Sequence, residues 1–141
     1  VPIAFMQYLK RGEDFITPEG EIVANELLTV APPPARSFAY MTDTLFRERF
    51  ADYVRGVDLL YHEATYMNAD AVLAKESYHS TTGQAARIAE LAGVGKLLLG
   101  HFSARYTECS ELLAEAREVF PNTFLCSDGD LFEVPAVKRR S

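Results

Sequence analysis

The chain has no tryptophan, only two cysteines and only three histidines. Cys109 and Cys126 exclude a dense disulfide framework and do not pair at metal-binding spacing, which fits a reducing cytoplasm. Cys126 lies in an apolar strand pattern and reads as a small buried hydrophobe, and Cys109 lies near a helix start. No apolar run approaches the roughly 18 residues needed to span a membrane, so none is expected as a partner. Val1-Pro2-Ile3-Ala4-Phe5 lacks the basic region of a signal peptide, and a start at Val1 is expected of a fragment or a processed chain. Positive charge is scarce: 14 basic residues face 20 acidic ones, a net charge of −6, which argues against broad nucleic-acid binding. The one concentrated positive run, Lys138-Arg139-Arg140, reads as a solvated terminus.

What is present is an ordinary globular composition, 48% apolar and 24% charged, over 141 residues, enough for one domain with a core. Ala31-Pro32-Pro33-Pro34-Ala35 can neither continue a helix nor pair inside a sheet and marks a rigid connection. Before it, turn signals surround short strand-like pieces, with Ile22-Val23 and Leu27-Thr29-Val30 as strand residues. Residues 1–36 are therefore set apart from 37–141.

Beyond the prolines the pattern is regular. Strands are predicted over Ser37–Met41, Val57–Tyr61, Lys96–Gly100, Thr123–Cys126 and Leu131–Val134, the last two around the turn Ser127-Asp128-Gly129-Asp130. Helices are predicted over Phe46–Val54, Ala69–Lys75, Thr81–Ala92 and Ser110–Phe120. Thr81 and Gln84 form a capping-box pair, and Gly93 and Pro121 follow helix ends. Alternation of this kind argues for an α/β fold.

Polar residues follow the apolar strands. Asp43 follows the first, Glu63 the second and His101 the third, and ligands in open α/β sheets gather beyond the carboxyl ends of strands. Asp43 reads either as an N-cap or as a carboxylate able to bridge two metals. His101 reads either as a satisfied structural histidine or as a zinc ligand. His79, just before the Thr81–Ala92 helix, reads either as a surface histidine or as a general acid, with Glu63 to orient its imidazole. Ser103 and Arg105 suit phosphate oxygens. His62 points to the opposite strand face from Glu63 and is left out of the site.

His62-Glu63-Ala64-Thr65, His79-Ser80-Thr81-Thr82 with Gln84-Ala85-Ala86, and His101-Phe102-Ser103-Ala104-Arg105-Tyr106 together resemble the C-terminal half of ribonuclease Z, the tRNA 3′-processing endonuclease of the metallo-β-lactamase fold. Tyr40-Met41-Thr42-Asp43-Thr44 and Phe120-Pro121-Asn122-Thr123 fit the same pattern, and Leu9-Lys10-Arg11-Gly12-Glu13 resembles the segment after the family's flexible arm. The resemblance implies half of an αββα sandwich, a mixed β-sheet with helices on one face. It implies Asp43 and His101 as ligands of two zinc ions, His79 as the catalytic histidine and Glu63 as its support. Ser103 and Arg105 become substrate-contact candidates, with precursor tRNA as substrate and a homodimer as the assembly. The family's His-x-His-x-Asp-His motif is absent, so this chain alone is expected to be inactive until an N-terminal half completes it. Two other readings stand beside this one: a zinc-dependent phosphodiesterase or arylsulfatase-like hydrolase of the same fold, and a non-catalytic association module.

Overall fold

The computed structural model describes residues 1–134, so the basic tail Lys138-Arg139-Arg140 lies outside the described residues. The chain divides into two compact units, one holding Val1–Pro34 and the other beginning at Ala35.

The first unit contains two short helices, α1 (Met6–Leu9) and α2 (Asn25–Leu28), and an antiparallel pair of strands, β1 (Phe15–Ile16) and β2 (Ile22–Val23). Ile22-Val23 is a strand as expected. Leu27 is not: it lies in α2, and the Thr29 N–H and hydroxyl both donate to the Asn25 carbonyl. The Asn25 side chain donates in turn to the carbonyls of Leu9 and Glu13, so it is the polar knot of this unit.

The second unit is a four-stranded parallel sheet in the order β3-β4-β5-β6, built from Phe38–Met41, Leu59–Glu63, Lys96–Gly100 and Thr123–Leu125. Three helices accompany it: α3 (Ala71–Glu76), α4 (Thr82–Ala92) and α5 (Ser110–Val119). Leu60, Leu97 and Leu99 point to one face and pack with Ala85, Ala86, Ile88, Ala89 and Ala92 of α4 and Ala116 of α5. Small residues along α4 let its axis approach the sheet closely. At roughly 25 cal/mol per Å2 of apolar surface removed from water, this layer is the main source of stability. α4 starts where the capping box places it: the Thr81 side chain accepts from Gln84 N–H while the Gln84 side chain accepts from Thr81 N–H. It ends at Gly93 in the left-handed conformation.

The opposite face carries Phe38, Tyr40, Leu59, Tyr61, Leu98 and Phe124. Tyr40 and Tyr61 stack there with ring centres 4.5 Å apart. Phe38, Tyr40 and Phe124 are exposed, and a cavity of about 590 Å3 lies between this face and residues 126–134.

Four expectations need correction. Phe46–Val54 is not an α-helix but a 3-10 helix over Glu48–Val54, because the backbone is still extended at Arg47. The second strand begins and ends two residues later than Val57–Tyr61, because Asp58 is spent on Ser37, accepting from its N–H (2.7 Å) and its hydroxyl (2.9 Å). Leu131–Val134 is not a strand: the turn closes through Asp130 N–H to the Ser127 carbonyl, but the return leg finds no ladder partner among the described residues. Cys126 lies just past β6 and is only half-buried, although burial and then Asp130 raise its thiol pKa.

Candidate metal and catalytic site

The carboxyl ends of β3, β4 and β5 carry the site. Asp43 lies two residues past β3, Glu63 is the last residue of β4, and His101 follows β5 directly. His79 precedes α4. Among the described residues, only three non-glycine residues take a left-handed φ: Asp43 (48°), Tyr78 (60°) and His101 (60°). Two are site residues and the third adjoins His79. Such backbone is costly for residues with a Cβ and tends to mark places where side-chain direction matters.

Glu63 is the hub. Its side chain is fully buried, and Oε1 stands 3.0 Å from His79 Nδ1. Oε1 also accepts the N–H groups of Thr44 (3.1 Å) and Ser80 (3.1 Å). Oε2 accepts the Thr65 N–H (3.1 Å) and hydroxyl (2.7 Å). A buried carboxylate is tolerated only when paired and hydrogen-bonded in this way. The Ser80 hydroxyl donates to the Thr44 carbonyl, tying the β3 end to the α4 start.

His101 faces the same point from β5. Its Nδ1 is 2.8 Å from Thr65 Oγ1, and its Nε2 is 3.6 Å from Asp43 Oδ1. The His79 and His101 rings lie 5.1 Å apart between centres. Asp43, His79 and His101 each offer a donor atom, and all three atoms lie within 4.8 Å of one another. Two ligands each about 2.1 Å from a tetrahedral ion stand about 3.4 Å apart, so the Asp43–His101 spacing suits a shared metal. Imidazole and carboxylate together suit zinc and neighbouring divalent ions. The residues present therefore fit a metal, though as a partial shell.

All four principal residues read from the sequence, Asp43, Glu63, His79 and His101, meet at this edge. His79 joins the donor cluster as well as the Glu63 pair. His62 is buried on the helix side, as its strand alternation implied, with Nδ1 2.6 Å from the Glu63 carbonyl. Burial pushes its pKa down, against the raising effect of the Glu63 carbonyl and carboxylate. Ser103 donates its N–H to the Thr65 carbonyl, and its hydroxyl accepts from Arg105 N–H. Arg105 pairs with Asp70 at 3.2 Å. Sequence reasoning missed Thr65, whose hydroxyl bridges Glu63 and His101. Its place two residues after Glu63 was the available signal.

Buried carboxylate, paired imidazole and an open donor triad at the ends of parallel strands mark an α/β protein with a candidate divalent-metal site. Residues 26–102 match the β-lactamase superfamily domain, and the chain belongs to that superfamily. It is 51% identical over 128 residues to a ribonuclease Z of Bacteroides fragilis (strain YCH46), covering 91% of this chain and 42% of that protein. It is 44% identical over 128 residues to a ribonuclease Z of Porphyromonas gingivalis (strain ATCC BAA-308 / W83), again covering 91% and 42%. The chain thus spans about two-fifths of the length of these relatives. Among solved structures, the metallo-β-lactamase fold protein YhfI from Bacillus subtilis superposes with a TM-score of 0.66 at 26% identity, over 70% of this chain and 40% of that one. No described helix is long and apolar enough to cross a membrane.

Proposed function

We propose that this chain is the C-terminal half of a zinc-dependent endoribonuclease that removes the 3′ trailer from precursor tRNA. The observation that carries the reading is the convergence of the Glu63–His79 pair, at 3.0 Å, with the Asp43–His101 donors at one sheet edge. The ribonuclease Z relatives supply the substrate class.

In this reading Asp43 and His101 hold two zinc ions together with ligands from an N-terminal half that carries the His-x-His-x-Asp-His motif. One carboxylate and one imidazole are too few for two ions, each needing about three protein ligands, so the chain alone is inactive. When bound, the metal pair supplies nucleophile activation and polarisation of the phosphodiester. Glu63 holds His79 by Nδ1, fixing the tautomer and leaving Nε2 for the substrate. As water adds to phosphorus and the bond to the tRNA 3′-oxygen breaks, His79, protonated at both ring nitrogens with Nδ1–H on Glu63, gives that oxygen its Nε2 proton and is left neutral. The products are a tRNA 3′-hydroxyl and a trailer 5′-phosphate. Ser103 and Arg105 contact the substrate. The complete enzyme is a cytoplasmic homodimer in which residues 1–36 follow the tRNA-clamping arm.

Cleavage of a labelled precursor tRNA tests this reading, using the chain alone and the chain assembled with its N-terminal half. The assembled protein should cut just 3′ of the discriminator base, and His79→Ala should lower kcat far more than it weakens tRNA binding. Preference for a small phosphodiester over precursor tRNA would point to the phosphodiesterase alternative. No hydrolysis of either, with stable self-association, would leave the association module.

A further inference from the structure

The chain leaves the sheet at Glu63, runs through the 3-10 turn Asn68–Asp70 and α3, and returns at His79. Two short segments lie side by side at the neck of this excursion, with Tyr66 paired in parallel to Thr81. Tyr66 N–H donates to the Ser80 carbonyl at 3.4 Å, and Thr82 N–H donates to the Tyr66 carbonyl at 2.9 Å. Further out, Asn68 Oδ1 accepts the Thr81 hydroxyl (2.8 Å) and the Gly83 N–H (3.2 Å). The Asn68 N–H donates in turn to Glu115 Oε1 of α5 at 2.8 Å. The same Glu115 oxygen accepts the hydroxyl of the fully buried Thr82. One carboxyl oxygen on a third element therefore fastens both segments at their outer end. Glu63 fastens the inner end, through Thr65 on one segment and His79 and Ser80 on the other.

The start of α4 does not require this outer closure, because the Thr81–Gln84 capping box already serves it. What Asn68 and Glu115 add is the placement of one segment against the other. The fit is close: a Cβ at Gly83 would stand 2.6 Å from Asn68 Nδ2. Without the outer closure, Tyr66 and Glu63 are left to join the two segments, and the spacing between Thr65 and His79 is free to change. A displacement of about 1 Å is enough to spoil the geometry of a reacting group.

We propose that Glu115 is a positioning residue for His79, acting through Asn68 and Thr82. By closing the outer end of the neck it keeps the His79 ring seated on Glu63 Oε1 with Nε2 open. The effect on turnover rests on the ribonuclease reading above; the seating of the ring does not.

The first test reads the His79 ring in the 15N-labelled chain itself, from its nitrogen shifts at a pH where the ring is neutral. The wild type should show one tautomer, protonated at Nδ1 toward Glu63. Glu115→Ala should mix the two tautomers while the amide signals of the sheet are kept, and Glu115→Gln, which retains an acceptor oxygen, should restore the single form. In the assembled enzyme Glu115→Ala should lower kcat for precursor tRNA about tenfold and leave KM within about twofold. In a His79→Ala background it should have no further effect on kcat, whereas a merely structural residue would lower activity in both backgrounds alike. Mixed tautomers already in the wild type, a single tautomer in Glu115→Ala, or a kcat loss that persists without His79 would each overturn the assignment. Should Glu115→Ala fail to fold, Gly83→Ala replaces it. Alanine suits the helix, but its Cβ expels the Asn68 side chain, so the tautomers should mix. A single tautomer there rejects the role. Failure of the wild type to cut precursor tRNA would reject the proposed function, and the tautomer measurement would still decide the role of Glu115.

Discussion

His79 Nδ1 lies 3.0 Å from Glu63 Oε1, and that one oxygen also receives the N–H groups of Thr44 and Ser80. A single buried atom therefore joins the end of β3, the end of β4 and the start of α4.

Glu63 is accordingly a structural residue as well as a site residue. Glu63→Ala leaves the Thr44, Thr65 and Ser80 N–H groups without an acceptor and should cost about 3–5 kcal/mol. Glu63→Gln keeps one oxygen and should cost about 1–3 kcal/mol. Urea unfolding reads both, and an unchanged midpoint for Glu63→Ala would contradict the hub.

His79 stands in both the Glu63 pair and the donor triad, and calorimetry separates the two roles. As a proton donor, His79→Ala should leave zinc affinity within about threefold while Asp43→Ala and His101→Ala lower it by tenfold or more. Equal losses from all three substitutions would make His79 a ligand.

Thr65 links the two halves of the site, with its hydroxyl 2.7 Å from Glu63 Oε2 and 2.8 Å from His101 Nδ1. Thr65→Val keeps the shape and removes both contacts. It should destabilise by about 1–3 kcal/mol and lower metal affinity about tenfold, with Thr65→Ser restoring most of each. A Thr65→Val protein with wild-type metal affinity would show that His101 is oriented by something else.

Tyr61 titrates late. Burial, then the neighbouring Tyr40, pushes its phenol up to about 12 from an ordinary value near 10. The folded state thus keeps a proton that the unfolded chain loses first. Tyr61 should have no effect on the pH dependence of stability below about pH 10, and stability should fall from there to about pH 12. Ultraviolet titration of wild type against Tyr61→Phe checks the assignment, and denaturant midpoints across the same range check the sign.

Gly100 precedes His101 and leaves room for the Tyr61 ring: an added Cβ would stand 2.8 Å from two ring carbons. Gly100→Ala should displace Tyr61, break its stack on Tyr40 and cost about 1–3 kcal/mol. A crystal structure of the variant with both tyrosines unmoved would contradict this.

The elements legible in the sequence are those whose signals are local. Thr81, Gln84 and Gly93 mark α4 because caps involve neighbours only a turn away. Lys96–Gly100 reads as a strand because a fully buried strand is continuously apolar. The expected strands at Leu27–Val30 and Leu131–Val134 failed because strand character needs a ladder partner, which apolar residues alone do not provide. Phe46–Val54 has a helical apolar spacing, but the backbone is still extended at Arg47 and only Glu48–Val54 coils, as a 3-10 helix.

By itself the sequence determined the order of the elements, the α/β class, the three polar residues placed after apolar strands and His79 before α4, because parallel strands in succession deliver their carboxyl ends to one edge. Only the tertiary structure decided that one Glu63 oxygen serves three elements, that Thr65 bridges to His101, and that Asp70 meets both Tyr106 and Arg105. Those relations join residues from 2 to 36 positions apart through side-chain direction. Direction depends on φ values such as those of Asp43 and His101, which residue type alone does not set.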